Sequence, residues 1–312
     1  MGRFRHQSAL LILAVAIGLA AAVATAQSTF KVDVKLVRLL VTVKDGRGEL
    51  VGSLEKPAFT VYDSGVKQEV AVFEHHTELP LSVALLIDTS GSTAKDLRYE
   101  TGSLEKFLRA LLREGNSSDT VALYAFNDQV TQLNSFTRRE QRLIDSLKEL
   151  KARAGTSLYD AVHLASRELT GRDGRHVIVA VTDGGDTTSD KKYSDAFESA
   201  QSADAIIYPV LVVPITNDAG RNLGGERALE TLASGTGGRV FQPMGAAELD
   251  AAFTQILRDL RTQYLVGYYP RNLPADAPRF HLVRVELARK DLRATTRSGY
   301  YGDAPLTGKA AR

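Results

Sequence analysis

Ser82-Val83-Ala84-Leu85-Leu86-Ile87-Asp88-Thr89-Ser90-Gly91-Ser92 is an apolar run that ends in one carboxylate and two hydroxyls at alternate positions. Near-continuous apolar strands of this kind are what a parallel sheet buried on both faces requires. A tight turn leaving the strand end lets Asp88, Ser90 and Ser92 converge on one point. Their donors are hard oxygens, which suit Mg²⁺ or Mn²⁺ and not zinc or copper. Taken alone, the same turn also suits serines that merely cap the next helix.

Two further segments bear on that choice. Gly155-Thr156-Ser157-Leu158-Tyr159-Asp160 opens a helix. Ser157 and Asp160 have the spacing of a capping box, leaving the Thr156 hydroxyl free to turn elsewhere. Val177-Ile178-Val179-Ala180-Val181-Thr182-Asp183-Gly184-Gly185 is a second apolar strand ending in a carboxylate and a glycine-rich turn. In an open parallel sheet, residues at such positions meet in the crevice at the carboxyl ends of the strands.

Asp88-x-Ser90-x-Ser92, the Thr156 of Gly-Thr-Ser and the Asp183 of Thr-Asp-Gly together resemble the von Willebrand factor type A fold with its metal-ion-dependent adhesion site. The resemblance spans about residues 80–262 and matches all five positions of that site. It implies that Ser90, Ser92 and Thr156 coordinate the metal directly, while Asp88 and Asp183 act mostly through bound waters. It also implies an open sixth position for a partner's carboxylate, and a last helix, about 246–261, that shifts when the site is engaged.

From Leu81 the chain alternates strands and helices. Core strands are expected at 82–88, 120–126, 176–182 and 205–213, an edge strand at 130–136 and a short last one at 238–242. Leu97, Thr101, Leu104, Leu108 and Leu111 follow the helical period, as do Leu249, Phe253, Ile256, Leu257 and Leu260. The fold class expected for residues 80–263 is therefore a doubly wound α/β layer with a mostly parallel sheet.

The flanks read as β. Residues 27–79 hold about four short strands, with turns at Asp45-Gly46-Arg47-Gly48 and Asp63-Ser64-Gly65. Glu49-Leu50-Val51 is expected to continue the first of these turns as a strand. Glu74-His75-His76-Thr77-Glu78-Leu79-Pro80 reads as a solvated linker. Residues 264–303 supply strands at 264–269, 280–287 and 292–301, and 304–312 is expected to be a disordered tail. Each flank is short for an independent sheet, so the two are expected to pair as one β-sandwich into which the α/β layer is inserted. Phe59 to Gly65, Leu79 to Asp88 and Arg297-Ser298-Gly299-Tyr300-Tyr301 make the whole layout similar to the VWFA-related acidobacterial domain family of exported bacterial proteins.

Residues 1–26 stand apart. Arg3, Arg5 and His6 precede the apolar run Ala9 to Ala22, and Ala24-Thr25-Ala26 offers small residues for cleavage, the pattern of a secretory signal peptide. Export to the periplasm or the extracellular space is expected, with no later run long enough to span a membrane. Removing those residues takes away two arginines and no acid, so Lys+Arg falls from 39 to 37 against 37 Asp+Glu. Nothing in a neutral balance suggests nucleic acid. The chain has no cysteine, which excludes disulfides, thiolate metal ligands and a lipid-modified N-terminal Cys.

His-Glu-x-x-His, Gly-x-Ser-x-Gly and Gly-x-Gly-x-x-Gly are all absent, and no histidine falls in the three candidate loops. The expected function is a secreted, adhesion-type protein-binding module with no catalytic residues. Its Mg²⁺ or Mn²⁺ would take an Asp or Glu from a protein partner. A metal-dependent hydrolase or phosphotransferase, and a scaffold with an idle site, are the alternatives.

Overall fold

A computed structural model describes residues 36–75, 78–91, 97–212, 222–274 and 278–302, with the side chains of 97–99 left out. The expected signal peptide, Ser92 and the tail from 304 lie outside the described residues.

The long apolar runs form a five-stranded sheet of order β7-β6-β5-β8-β9. Its strands are β5 (Leu81–Asp88), β6 (Thr120–Phe126), β7 (Val130–Thr137), β8 (Arg175–Thr182) and β9 (Ala205–Leu211). β5 lies between β6 and β8, parallel to both, and β9 runs parallel to β8. Only β7, the edge, is antiparallel. This mixed but mostly parallel sheet with helices on both faces is the doubly wound class expected.

Strand parity sorts the helices. Val83, Leu85 and Ile87 face a core shared with α1 (Leu97–Glu114), α2 (Glu140–Lys148) and α6 (Ala246–Arg261). Ala84 and Leu86 face the opposite core, shared with α3 (Leu158–Thr170), α4 (Tyr193–Ser202) and α5 (Leu223–Thr236). Successive strand side chains alternate faces, so the even-numbered Asp88 belongs with the α3 side.

Local expectations fail where the backbone turns early. The strand expected to 213 ends at Leu211. Residues 238–242 add only one parallel bridge, Val210↔Phe241. Gly237 ends α5 in the left-handed region at φ 88°, and a Cβ on Gly238 would lie 1.9 Å from the Ile207 carbonyl oxygen, so the chain is already pressed against β9 there. The strand expected at 49–51 is likewise reduced to the Lys44↔Leu50 bridge.

The flanks interleave. One sheet has the order β12-β1-β10-β4 and the other β13-β11-β2-β3. β1 (Val37–Lys44), β2 (Phe59–Asp63), β3 (Val66–Gln68) and β4 (Val70–Glu74) come from the first flank. β10 (Tyr264–Tyr268), β11 (Phe280–Leu287), β12 (Arg293–Thr295) and β13 (Gly299–Tyr301) come from the second, the expected 292–301 strand being split in two. Leu39, Val41, Val61, Tyr264, Val266 and Tyr268 share one apolar cluster lined by both sheets, the arrangement of a sandwich. β4 and β10 lead into and out of the α/β layer and are themselves hydrogen-bonded neighbours.

Inside this β-body Asp63, with 0% exposure, accepts from Tyr268 Oη at 2.9 Å and Tyr300 Oη at 2.7 Å. Ser64 Oγ donates to its other oxygen at 3.1 Å, and His281 Nδ1 lies 3.3 Å away. His75 corrects the solvated-linker expectation: its ring packs on Phe73 and Tyr264, because β4 carries it to the edge of the aromatic core. Side-chain contacts tie the β-body to the α/β layer. Lys44 Nζ lies 3.2 Å from the buried Asp259 of α6, and Arg297 bridges Asp204 and the Arg38 carbonyl. Among the described residues no helix is long and apolar enough to cross a membrane.

Candidate functional site

Asp88 is the last residue of β5 and is 1% exposed. The β5–β8 register pairs Ile87 with Val181, which brings Thr182 beside Asp88 on the same face. Thr182 Oγ1 donates to Asp88 Oδ2 at 2.6 Å, and the Ser90 amide donates to Oδ1 at 2.8 Å. Burial pushes the Asp88 carboxyl up to about 6; the bonds from Thr182 and Ser90 pull against that rise, and the Asp183 charge adds to it.

Ser90, also buried, forms a parallel bridge with Arg153, whose amide donates to the Thr89 carbonyl at 2.8 Å. The 153–157 loop is thereby laid along the Asp-x-Ser turn. Gly155 within it has φ 84°, and a Cβ there would sit 2.8 Å from Asp128 Cβ, so this close passage needs glycine.

Thr156 follows at 6% exposure. Its amide donates to Thr187 Oγ1 at 3.0 Å, and its carbonyl accepts from the amides of Thr187 at 2.8 Å and Thr188 at 3.2 Å. These bonds join the Thr156 loop to the segment after Asp183. Its hydroxyl makes no hydrogen bond to any described residue.

Asp183 is half-buried just past β8, with Oδ1 accepting from the Gly185 amide at 3.3 Å. α5 braces this turn. A Cβ on Gly225 would come within 1.5 Å of the Gly184 carbonyl oxygen, so helix and turn meet backbone to backbone. Four of the five candidate residues, Asp88, Ser90, Thr156 and Asp183, therefore sit on three mutually hydrogen-bonded loops at the carboxyl end of the sheet. Ser92 lies outside the described residues.

The capping box expected of Ser157 and Asp160 does not form. Ser157 Oγ instead meets Thr188 Oγ1 at 2.9 Å, while Asp160 accepts from the amides of Asp190 at 3.0 Å and Lys191 at 2.8 Å. Asp186 Oδ1 accepts from Ser189 Oγ at 2.6 Å and from the Tyr159 amide at 3.2 Å. The 186–191 loop takes over the capping: Asp186 and Ser189 accept from the Tyr159 and Asp160 amides at the start of α3, and the Ser157 and Asp160 side chains turn to the loop in exchange. Thr182, Thr187, Thr188 and Asp186 were missed in the sequence reading. Only Thr182 had a readable signal, its strand parity with Asp88.

Among the described residues no group of three or more His, Cys, Asp or Glu gathers as a metal-holding cluster. Any cation here must rely on hydroxyls as well as carboxylates. The donors present are hard oxygens, with a buried carboxylate beside a second one and a Thr156 hydroxyl that bonds to no described residue. That chemistry fits a small divalent cation.

Residues 83–185 match the family model of the von Willebrand factor type A domain, a stretch that contains all five candidate residues. No curated protein matches the chain. Similar solved structures include the vWF domain of the type V pili tip protein Mfa5 from Porphyromonas gingivalis, 15% identical over 58% of this chain and 94% of that one, TM-score 0.47. Another is the conserved hypothetical protein BatB from Bacteroides thetaiotaomicron, 17% identical over 58% and 100% of the two chains, TM-score 0.46. A third is an aerotolerance-related membrane protein from Bacteroides fragilis, 20% identical over 58% and 98%, TM-score 0.45.

Proposed function

We propose that this protein is an exported, metal-dependent binding module that captures an acidic side chain of a protein partner. The observation that carries this reading is the convergence of Asp88, Ser90, Thr156 and Asp183 on three tied loops within the stretch matched by the family model. Ser90, Ser92 and Thr156 would hold Mg²⁺ or Mn²⁺ through their hydroxyls, with Asp88 and Asp183 acting through water. When bound, the ion supplies a Lewis-acidic position that a partner carboxylate can occupy. The chain's own part is preorganisation. Thr182 and the Ser90 amide hold the Asp88 carboxylate in one orientation, and the Thr187–Thr156 bonds hold the Thr156 loop.

Neutral hydroxyls as direct ligands leave most of the ion's charge uncompensated, which favours a carboxylate as the incoming ligand. A hydrolase reading has less support, because no histidine stands in the three loops to act as a general base. The likeness of the whole chain to exported proteins of the VWFA-related acidobacterial family rests on the motifs Phe59 to Gly65 and Arg297 to Tyr301, which the Tyr300–Asp63 hydrogen bond joins.

Calorimetry on residues 27–312 tests the metal step: the protein binds Mg²⁺ or Mn²⁺, chelator reverses the binding, and Asp88→Ala or Ser90→Ala abolishes it. Pulldown from an envelope fraction tests the partner step. Capture requires divalent metal and weakens when the partner's key Asp or Glu becomes Asn or Gln. Unchanged metal binding in Asp88→Ala, or capture indifferent to chelator, overturns the reading.

A further inference from the structure

Helices α3 and α4 pack side by side on one face of the sheet and leave between them an open cleft of about 430 Å³. α3 contributes His163, Arg167 and Thr170, and α4 contributes Asp195, Ser199 and Ser202. Each set is spaced i, i+4, i+7, one continuous stripe along its helix. Lys191, just before α4, closes the end, its backbone amide held by Asp160 Oδ1 at 2.8 Å. The volume falls in the range of about 300–1,000 Å³ common for small-molecule sites.

The lining is biased towards donors. Of its two acids, Glu198 pairs with Arg279 at 2.9 Å, whereas Asp195 Oδ2 accepts from the Lys192 amide at 2.9 Å and keeps its charge. By contrast, the side chains of Arg167 and Lys191 form no ion pair or hydrogen bond with any described residue. His163 Nδ1 and Ser199 Oγ meet at 2.6 Å across the cleft, so the imidazole is oriented and its Nε2 is the ring nitrogen left for other contacts. Two cations with no ion pair among the described residues, an oriented imidazole and the hydroxyls of Thr170, Ser199 and Ser202 thus border one space, with Asp195 as the one carboxylate there not in an ion pair.

We propose that this cleft binds a small polyanion of the phosphate class, with Arg167 and Lys191 as its charged anchors and the Ser199–His163 pair as its hydrogen-bonding floor. Arg167 suits a bidentate fork onto two phosphate oxygens, and Lys191 acts as a point charge on a third. With Glu198 paired to Arg279, the two cations outnumber the one remaining carboxylate, Asp195, and that balance favours an anion. The proposal is independent of the metal site, since none of these residues belongs to the three loops' candidate ligand set.

The test uses residues 27–312 titrated with inorganic phosphate and with pyrophosphate by calorimetry. Chelator is present throughout, so that no divalent ion at the other site can hold the anion. Saturable binding is expected, tighter for pyrophosphate. Arg167→Ala and Lys191→Ala should each weaken it about tenfold, as loss of one charge-assisted contact does. Both residues are exposed, so these variants fold, and Asp88→Ala should bind the anion like the parent. Chloride at matched ionic strength should not compete. The proposal is overturned by an absence of saturable binding, by equal displacement with chloride, or by unchanged affinity in the Arg167→Ala/Lys191→Ala double variant.

Discussion

The α/β layer and the β-body bury their strands in different ways. β5, β8 and β9 are buried at every position, whereas β1 is half-buried at three of its eight positions and β11 is buried only at Val283. A strand between two helical layers must be apolar on both sides, so each one carries its assignment in its own residues. A sandwich strand needs only one apolar face, and its partners here lie at the other end of the chain. The first kind of order is local and the second is made by closure.

The largest expected effect separates the two regions outright. Residues 27–79 alone should stay unfolded, because β1 and β4 pair with β10 and β2 pairs with β11, whereas 80–263 alone should fold. Circular dichroism and urea titration decide it, and a cooperative transition in the 27–79 fragment would contradict the closure argument. Next in size is Asp63→Ala, which strands the hydroxyls of the buried Tyr268 and the half-buried Tyr300 and should cost about 3 kcal/mol or more. Tyr300→Phe, removing one donor, should cost about 1 kcal/mol in the same urea experiment.

Equal truncations sharpen the contrast between the two kinds of strand. Leu85→Ala in β5 should lose about 2–5 kcal/mol through the cavity it leaves. Leu282→Ala in β11, at 64% exposure, should change stability by no more than about 0.5 kcal/mol. Comparable losses at both positions would show that β11 is covered in solution. Gly225→Ala should cost about 1–3 kcal/mol, because its Cβ needs the space of the Gly184 carbonyl. It should also weaken Mg²⁺ binding in calorimetry by moving the Asp183 turn. A change of the opposite sign is expected from Asp88→Asn in chelator. Removing a buried charge beside Asp183 should stabilise the metal-free fold by about 1 kcal/mol, read as a raised urea midpoint, while Mg²⁺ binding is lost.

What the sequence determined by itself was local. The apolar runs at 82–88, 120–126 and 176–182 became strands, and Leu249, Phe253, Ile256, Leu257 and Leu260 became one buried helix face. The oxygen-bearing turns after β5 and β8 arrived at the same end of the sheet, because parallel neighbours necessarily share their carboxyl ends. Tertiary structure decided everything that depends on distant partners. Ser157 and Asp160 have the spacing of a cap, but a loop some 30 residues away supplies the hydrogen-bonding partners of both. Asp63 lay in an ordinary turn motif, and its Tyr300 partner is 237 residues distant. The cleft between α3 and α4 exists only because two polar stripes, each unremarkable on its own helix, are packed side by side. Periodicity reports which face of an element is apolar; which polar atoms meet is set by the packing of whole elements, and no local window contains that.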